Sequence, residues 1–384
     1  MSRTQVTCAV LSLVASVMSS AFESSVTALE ILAPVDFHVV QIANRGSTSL
    51  PVTGTLQIYE EDVPRLEWRL IGASGNPSWE VLSATHVQDQ FSATLPVDPG
   101  GWYRLDLRQL HGGEVVGQAS VEHVGVGEIF VVAGQSNSAN HGEKQLTPET
   151  NRVVVFDGQR WHVANDPQPG ASGSGGSFLP PLGDEIVRRY NKPVGFVACG
   201  IGATSVREWL PRDATFLHPP TIESRVVRQG DGTWTSDGRA FDRLIARMRQ
   251  LGPHGFRAVL WHQGESDANQ RDPTRTLRGD LYREYLSKLV ERSRAEIGWD
   301  VPWFVAQATY HVPGDEGSDD IRDAQASLWR EGIALQGPDT DTLKGPLREQ
   351  GGRGVHFSEA GQRAHARLWA DRLIPWLEGK TNQP

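Results

Sequence analysis

Apolar and polar positions alternate in two different ways along this chain. From about residue 29 to 125 the apolar stretches are short: "FHVVQI", "VTGTLQIY", "LEWRL", "FSATLPV", "WYRLDLRQL" and "ASVEHV". Several alternate apolar with polar, and clusters such as "ANRGSTSLP", "GASGNPS" and "DPGG" separate them. Period-two runs bounded by turn residues predict strands, and strands at this spacing predict a small antiparallel sandwich. After residue 126 the runs become continuous: "EIFVVAG", "RVVVFD", "PVGFVACG", "FRAVLWHQG" and "PWFVAQATY". An unbroken apolar run suits a strand covered on both faces.

Helical periodicity lies between those runs. Phe241, Leu244, Ile245 and Met248 keep the i, i+3, i+4, i+7 spacing, with Asp237 near the helix start. Leu281, Tyr285, Leu286, Leu289 and Val290 repeat the stripe, and Gly298 stops it. Ala364, Leu368, Trp369 and Leu373 form a third stripe, predicted to end before Pro375. Strand–helix alternation of this kind predicts a doubly wound parallel α/β sheet, in which ligands bind beyond the carboxyl ends of the strands. The predicted organisation is a β-sandwich domain at 29–125 followed by an α/β domain at 126–384, and 384 residues is a length that favours two domains.

Composition narrows the class. A hydrophobic share of 38% marks a globular chain, and a net charge of -9 without a Lys/Arg cluster argues against nucleic acid or an anionic membrane as partner. Arg3 followed by the apolar stretch Val6 to Met18 reads as a signal peptide over residues 1–28, with small residues at Ala21 and Ala28 for cleavage. The expected location is therefore secreted or periplasmic. Cys8 would leave with that segment, so no internal disulfide is expected, and Cys199 reads as a small buried hydrophobe at a strand end.

Candidate chemistry gathers at the strand ends. Gly134 lets "VVAGQSNS" turn sharply and begin a helix, which presents the Ser136 hydroxyl beside backbone N–H groups suited to an oxyanion. A plain Ser or Asn cap explains the same residues. In "ACGIGATSVREWLP" Gly200 and Gly202 allow close backbone approach to a ligand, as in any glycine-rich turn. "WHQGESDA" crowds His262, Gln263, Glu265 and Asp267 at one terminus, where they need partners or solvent. In "GVHFSEAGQ" Ser358 can cap the last helix, which leaves His356 on the loop before it, a candidate general base for Ser136.

With "GQSNS", "GATSVREW", "WHQGESD" and "GVHFSEAG" in this order over residues 126–378, the chain resembles the SGNH hydrolase superfamily. Within it, the sequence is similar to the sialate O-acetylesterase-like branch that includes carbohydrate esterase family six. The resemblance implies a flavodoxin-like sheet and a cofactor-free, metal-free serine esterase that removes O-acetyl groups from carbohydrate. It implies Ser136 as nucleophile, His356 as base, and an oxyanion hole from the Ser136 and Gly202 N–H groups with the Gln263 side chain; Asn137 and Glu265 shape the site. Many relatives place an aspartate three residues before the histidine. Here Arg353 stands there, and Glu349 is the only acid nearby. Glu265 is the first choice for the acid, Asp267 the second, and a Ser–His dyad the third. Trp209 and Trp234 are read either as stacking faces for sugar rings or as packing residues, and the loop 167–178 as a rim of the site. An acetylated carbohydrate is the expected partner. The alternatives are a non-catalytic carbohydrate-binding protein and a general short-chain esterase.

Overall fold

A computed structural model describes residues 29–43, 48–59, 64–72 and 77–381; the expected signal peptide lies outside them. The short N-terminal runs form β1 (Glu30–Ala33), β2 (His38–Gln41), β3 (Thr48–Thr55), β4 (Arg65–Ile71), β5 (Glu80–Val81), β6 (Ala84–Val87), β7 (Gln90–Val97) and β8 (Gly100–His111). Next comes β9 (Glu114–Gly134), a single strand that runs across residue 125. One antiparallel sheet has the order β1-β3-β7-β6, and a second layer joins β5, β4, β8, β9 and β2. Leu50, Val52, Phe91 and Leu95 of the first layer share a core with Leu66, Leu105, Leu107 and Val121 of the second. The alternation in β3, buried at Thr48, Leu50, Val52 and Gly54, is the pattern of a strand with one face inward.

The C-terminal half of β9 lies within the parallel sheet. After it come β10 (Val153–Phe156), β11 (Trp161–Val163), α1 (Leu179–Tyr190), β12 (Val194–Ala198), β13 (Thr215–Phe216), β14 (Val226–Arg228), β15 (Trp234–Ser236) and α2 (Arg239–Gln250). Then follow β16 (Ala258–His262), α3 (Gly279–Ile297), β17 (Trp303–Gln307), α4 (Asp319–Arg330), β18 (Leu335–Asp339), the single turn α5 (Glu349–Gly352) and α6 (Glu359–Thr381). The order is β11-β10-β12-β9-β16-β17-β18, parallel except for the β10–β11 hairpin. Ile129, Val131 and Ala133 pack with Leu244, Leu286 and Leu328 of α2, α3 and α4. Phe130 and Val132 pack with Leu182 and Trp369 of α1 and α6 on the opposite face. Coverage on both faces is why β9, β12, β16 and β17 read as continuous apolar runs.

Two local expectations need correction. The last helix does not stop before Pro375 but carries that proline inside and continues to Thr381. Pro375 and Asp371, whose carbonyl loses its N–H partner, both face solvent, where water can replace the bond. Residues 136–138 form one 3-10 turn and not the start of a helix. Within the stretch 211–238, β13, β15 and β14 pair as a small antiparallel sheet.

Candidate active site

β9 and β16 end side by side, with Gly134 opposite His262. Gly134 has φ +129°, and a Cβ there would overlap the His262 carbonyl oxygen, so only glycine fits the turn. The Gln135 N–H then donates to that carbonyl at 2.9 Å, and the Ser138 hydroxyl donates to the Gln135 carbonyl at 2.7 Å. This short, pinned turn delivers Ser136 to the wall of a cavity of about 600 Å³ at the carboxyl ends of the strands. His356, from the loop between α5 and α6, lines the same cavity. The Ser358 hydroxyl accepts the Gly361 N–H at 3.2 Å, the cap expected for α6.

The carboxylate at the His356 ring is that of Glu349. Its Oε1 lies 2.8 Å from His356 Nδ1 and also accepts the His356 backbone N–H at 3.2 Å. A carboxylate oxygen accepts, so Nδ1 carries a proton, and in the neutral ring the lone pair is on Nε2. This corrects the expectation of Glu265 or Asp267. Glu265 faces the cavity, but its Oε1 accepts from Asn137 Nδ2 at 3.0 Å, and burial pushes its carboxyl up to about 7. Asp267 is fully buried and accepts from the Ser205 hydroxyl (2.5 Å), the Val206 N–H (2.8 Å), Gln263 Nε2 (2.7 Å) and Arg207 Nη2 (3.2 Å). It belongs to a structural knot with a fully buried arginine.

The expected oxyanion donors are distributed differently. Gln263 lies wholly inside, and its Nε2 donates to Asp267, to the Thr204 carbonyl (3.1 Å) and to Gln135 Oε1 (3.3 Å). The Gly202 N–H donates to Ser172 Oγ at 2.6 Å. Gln135 takes Gln263's place at the wall: its Oε1 accepts the Ser266 N–H at 3.0 Å, which turns the amide NH₂, without an acceptor among the described residues, toward the cavity. The Ser136 N–H likewise meets no acceptor among the described residues. Asn137 links Glu265 to the Val355 carbonyl (3.3 Å), next to His356.

Of the two tryptophans, Trp209 is fully buried, donates to Thr204 Oγ1 at 2.9 Å and meets Trp261 edge-on, so it has no face for a sugar. Trp234 packs half-buried against the core, outside the cavity lining. The stretch 211–238 contributes Arg225 to the cavity instead, and the loop 167–178 contributes Ser172. Sequence reasoning missed His311, which also lines it: Asp315 Oδ2 and the Glu265 carbonyl each lie 2.6 Å from one ring nitrogen. Both partners accept, so both nitrogens carry protons and the ring is charged; burial opposes this, but those two hydrogen bonds hold its pKa above the usual value. His262 stays neutral, pushed down to about 3 by burial, with Nε2 2.9 Å from Thr340 Oγ1. Cys199 is buried, its thiol raised to about 11, as a packing residue would be. Among the described residues no group of three or more His, Cys, Asp or Glu gathers where it could hold a metal ion. No helix among them is long and apolar enough to cross a membrane.

Comparison with known proteins gives the chain its class, a carboxylic ester hydrolase of the carbohydrate acetylesterase kind. The chain belongs to the family described as carbohydrate esterase, sialic acid-specific acetylesterase, whose sequence model matches residues 126–374. Among solved structures, a carbohydrate acetylesterase from Xanthomonas citri is 17% identical and superposes with a TM-score of 0.54, covering 92% of this chain and 76% of that one. At that identity the likeness shows a shared fold. NanS (16% identity, TM-score 0.45, 66% of this chain and 98% of that one) and a protein from Arabidopsis thaliana (19%, 0.44, 65% and 98%) are also similar. No curated protein matches the sequence.

Proposed function

We propose that the chain is a secreted serine esterase that removes O-acetyl groups from carbohydrate through an acyl-enzyme. The observation that carries this reading is that Ser136 and His356 line one cavity beyond the parallel strands, with the Glu349 carboxylate held on the His356 Nδ1. Residues 126–384 are read as a doubly wound SGNH-type esterase domain and residues 29–125 as a β-sandwich domain. Secretion is read from the apolar stretch after Arg3.

In this reading His356 Nε2 takes the Ser136 proton as the serine oxygen attacks the acetyl carbonyl. Glu349 holds the ring in the required tautomer and stabilises it once charged. The Ser136 N–H and the Gln135 amide face the oxygen that becomes anionic. The tetrahedral intermediate collapses as His356 returns the proton to the departing sugar oxygen. Water, activated by the same nitrogen, then releases acetate and restores the serine. Gln263 supports Gln135 from behind, and Asn137 ties Glu265 to the His356 loop.

For the substrate, the family's description points to O-acetylated sialic acid and the Xanthomonas citri neighbour to acetylated carbohydrate more widely. The test is acetate release from acetylated xylan, pectin, xyloglucan and O-acetyl sialic acid, with 4-nitrophenyl acetate as a general reporter. Ser136→Ala should abolish release from all of them while the thermal unfolding midpoint stays put. Full activity in that variant, or sugar binding without hydrolysis by the wild type, ends the proposal.

A further inference from the structure

Ser172 sits at the cavity wall on the glycine-rich loop that joins β11 to α1. Its position is fixed from both sides: its N–H donates to the Gly200 carbonyl (2.9 Å), and its own carbonyl accepts the Asn140 N–H (2.9 Å) from just beyond the Ser136 turn. Asn140 clamps the same loop through its side chain, which donates to the Gln168 carbonyl at 2.9 Å and accepts the Gln168 N–H at 2.7 Å. A serine held this tightly is presented deliberately, although nothing in its sequence surroundings, "GASGSGGS", distinguishes it.

The hydroxyl makes two contacts. It accepts the Gly202 N–H at 2.6 Å, and His141 Nε2 lies 3.2 Å away. A hydroxyl has one proton to give, so with Gly202 on one lone pair, that proton points either to His141 or into the cavity. The His141 contact is the long one. The His141 ring also stacks on His356, with centroids 5.2 Å apart and planes at 30°, and packs against Gly202, where an added Cβ would come within 2.7 Å of Nε2. Ser172 therefore approaches the reacting centre from the side of the base. Burial and the neighbouring His356 both lower the His141 pKa, which suits a neutral ring that accepts the proton and releases it easily.

We propose that Ser172 is a catalytic residue whose hydroxyl, and not the Gly202 N–H behind it, donates to the acetyl oxygen as that oxygen becomes anionic. In the free site the proton rests on the long bond to His141. As negative charge develops on the carbonyl oxygen, the O–H turns from His141 to it, while Gly202 continues to donate to the hydroxyl oxygen. The chain from Gly202 N–H through Ser172 O–H to the oxyanion is polarised at each link, which strengthens the final donor. No bond to carbon forms at Ser172, and its proton is shared, not transferred.

The assignment rests on Ser136 as nucleophile, so the experiment compares Ser136→Ala, Ser172→Ala and Ser172→Thr on 4-nitrophenyl acetate, together with the affinity of each enzyme for methylboronic acid as a tetrahedral mimic. Ser172→Ala should lower kcat on the order of 100-fold, the effect of losing one oxyanion donor, with KM changed less than about threefold. Boronate affinity should fall in parallel, and Ser172→Thr, which keeps the hydroxyl, should recover most of both. A Ser172→Ala enzyme with kcat within about threefold of wild type, a loss confined to KM, or an unchanged boronate affinity each overturn the role. If Ser136→Ala is inactive while Ser172→Ala runs at full rate, only the Ser172 assignment fails; an active Ser136→Ala sinks both readings.

Discussion

Replacing Glu349 by glutamine tests which carboxylate serves His356. The change keeps the shape of a side chain whose Oε1 lies 2.8 Å from His356 Nδ1, and removes its charge. Two unit charges about 4 Å apart near a protein surface interact by roughly 4 kcal/mol. That is close to a thousandfold in rate when the charged imidazole exists only during the reaction. Both groups are partly exposed, Glu349 at 17% and His356 at 23% of their side chains, so solvent screens part of this. In the other direction, if the new amide turns its NH₂ to the ring, Nδ1 must accept, and Nε2 then carries a proton where a lone pair is needed. An inverted tautomer has cost up to about 10⁴-fold in a well-studied serine protease. The expected loss in kcat/KM is therefore about 10²- to 10⁴-fold, carried by kcat. Glu265→Gln in parallel should lose less than about tenfold, because Glu265 Oε1 only accepts an amide N–H that a glutamine oxygen accepts as well. Initial rates on 4-nitrophenyl acetate across pH 5 to 9, with thermal midpoints to confirm folding, decide the matter. Glu349→Gln within about threefold of wild type, or the larger loss in Glu265→Gln, refutes the assignment.

Three further outcomes follow from packing and charge. Asp267→Ala strands the fully buried Arg207 guanidinium and should destabilise the protein by about 3–5 kcal/mol, read as a lower urea midpoint. Trp209→Ala should cost about 3–5 kcal/mol by the same measurement while KM for acetylated sugar stays near wild type, whereas a residue that stacks on sugar would raise KM. Glu265, raised by burial from 4.5 to about 7, binds its proton more tightly folded than unfolded, so stability should fall as pH rises between those values and level off above. The loss is on the order of 3 kcal/mol, and Glu265→Gln should remove it from urea midpoints compared at pH 5 and pH 8.

Much of this molecule is legible because its core strands and helices obey single periodicities. β9, β12, β16 and β17 were visible as unbroken apolar runs, and α2 and α3 as stripes whose residues, except the half-buried Leu281, are inside. The elements that escaped are those whose packing requires breakers. β18 contains Gly337 and Pro338, and α1 opens on Pro180 and Pro181 and holds Gly183 where a side chain would strike Val153. The places of Ser136 and His356 on the cavity wall were readable because each stands at a strand or helix terminus, a position local sequence specifies. Gln135, Ser172 and His311 were not, because each owes its place to contacts with segments remote in the chain: Ser266, Gly202 and Glu265 respectively. The polar crowd "WHQGESDA" divides in two: Glu265 reaches the cavity wall, while Gln263 and Asp267 turn inward to satisfy Thr204, Ser205, Val206 and Arg207. Periodicity at a strand end cannot tell those directions apart.

The Glu349–His356 pairing was hidden by a different cause: its spacing in the chain depends on how the loop closes. Arg348 and Phe357 pair as an antiparallel bridge, and the Glu349 N–H donates to the His356 carbonyl at 2.9 Å, so positions seven apart face each other. Gln350, Gly351 and Gly352, all at positive φ, turn the chain between them. Arg353, three residues before the histidine, sits on the exposed outside of that turn and donates to the Gln350 carbonyl. What holds the loop shut is Arg348. Its guanidinium lies between the Tyr310 and Phe357 rings at 4.0 and 4.2 Å, and donates to the Leu343 (2.6 Å), Val355 (2.7 Å) and Thr340 (3.0 Å) carbonyls. Three carbonyls and two aromatic faces accommodate a buried cation that meets no carboxylate directly among the described residues. Lysine at this position keeps the charge but loses the planar fork that reaches three carbonyls at once. Arg348→Lys should therefore loosen the Glu349–His356 pair without touching either residue, lowering kcat more than KM. If Arg348→Lys kept full kcat, the loop would have to be held by the Arg348–Phe357 bridge alone.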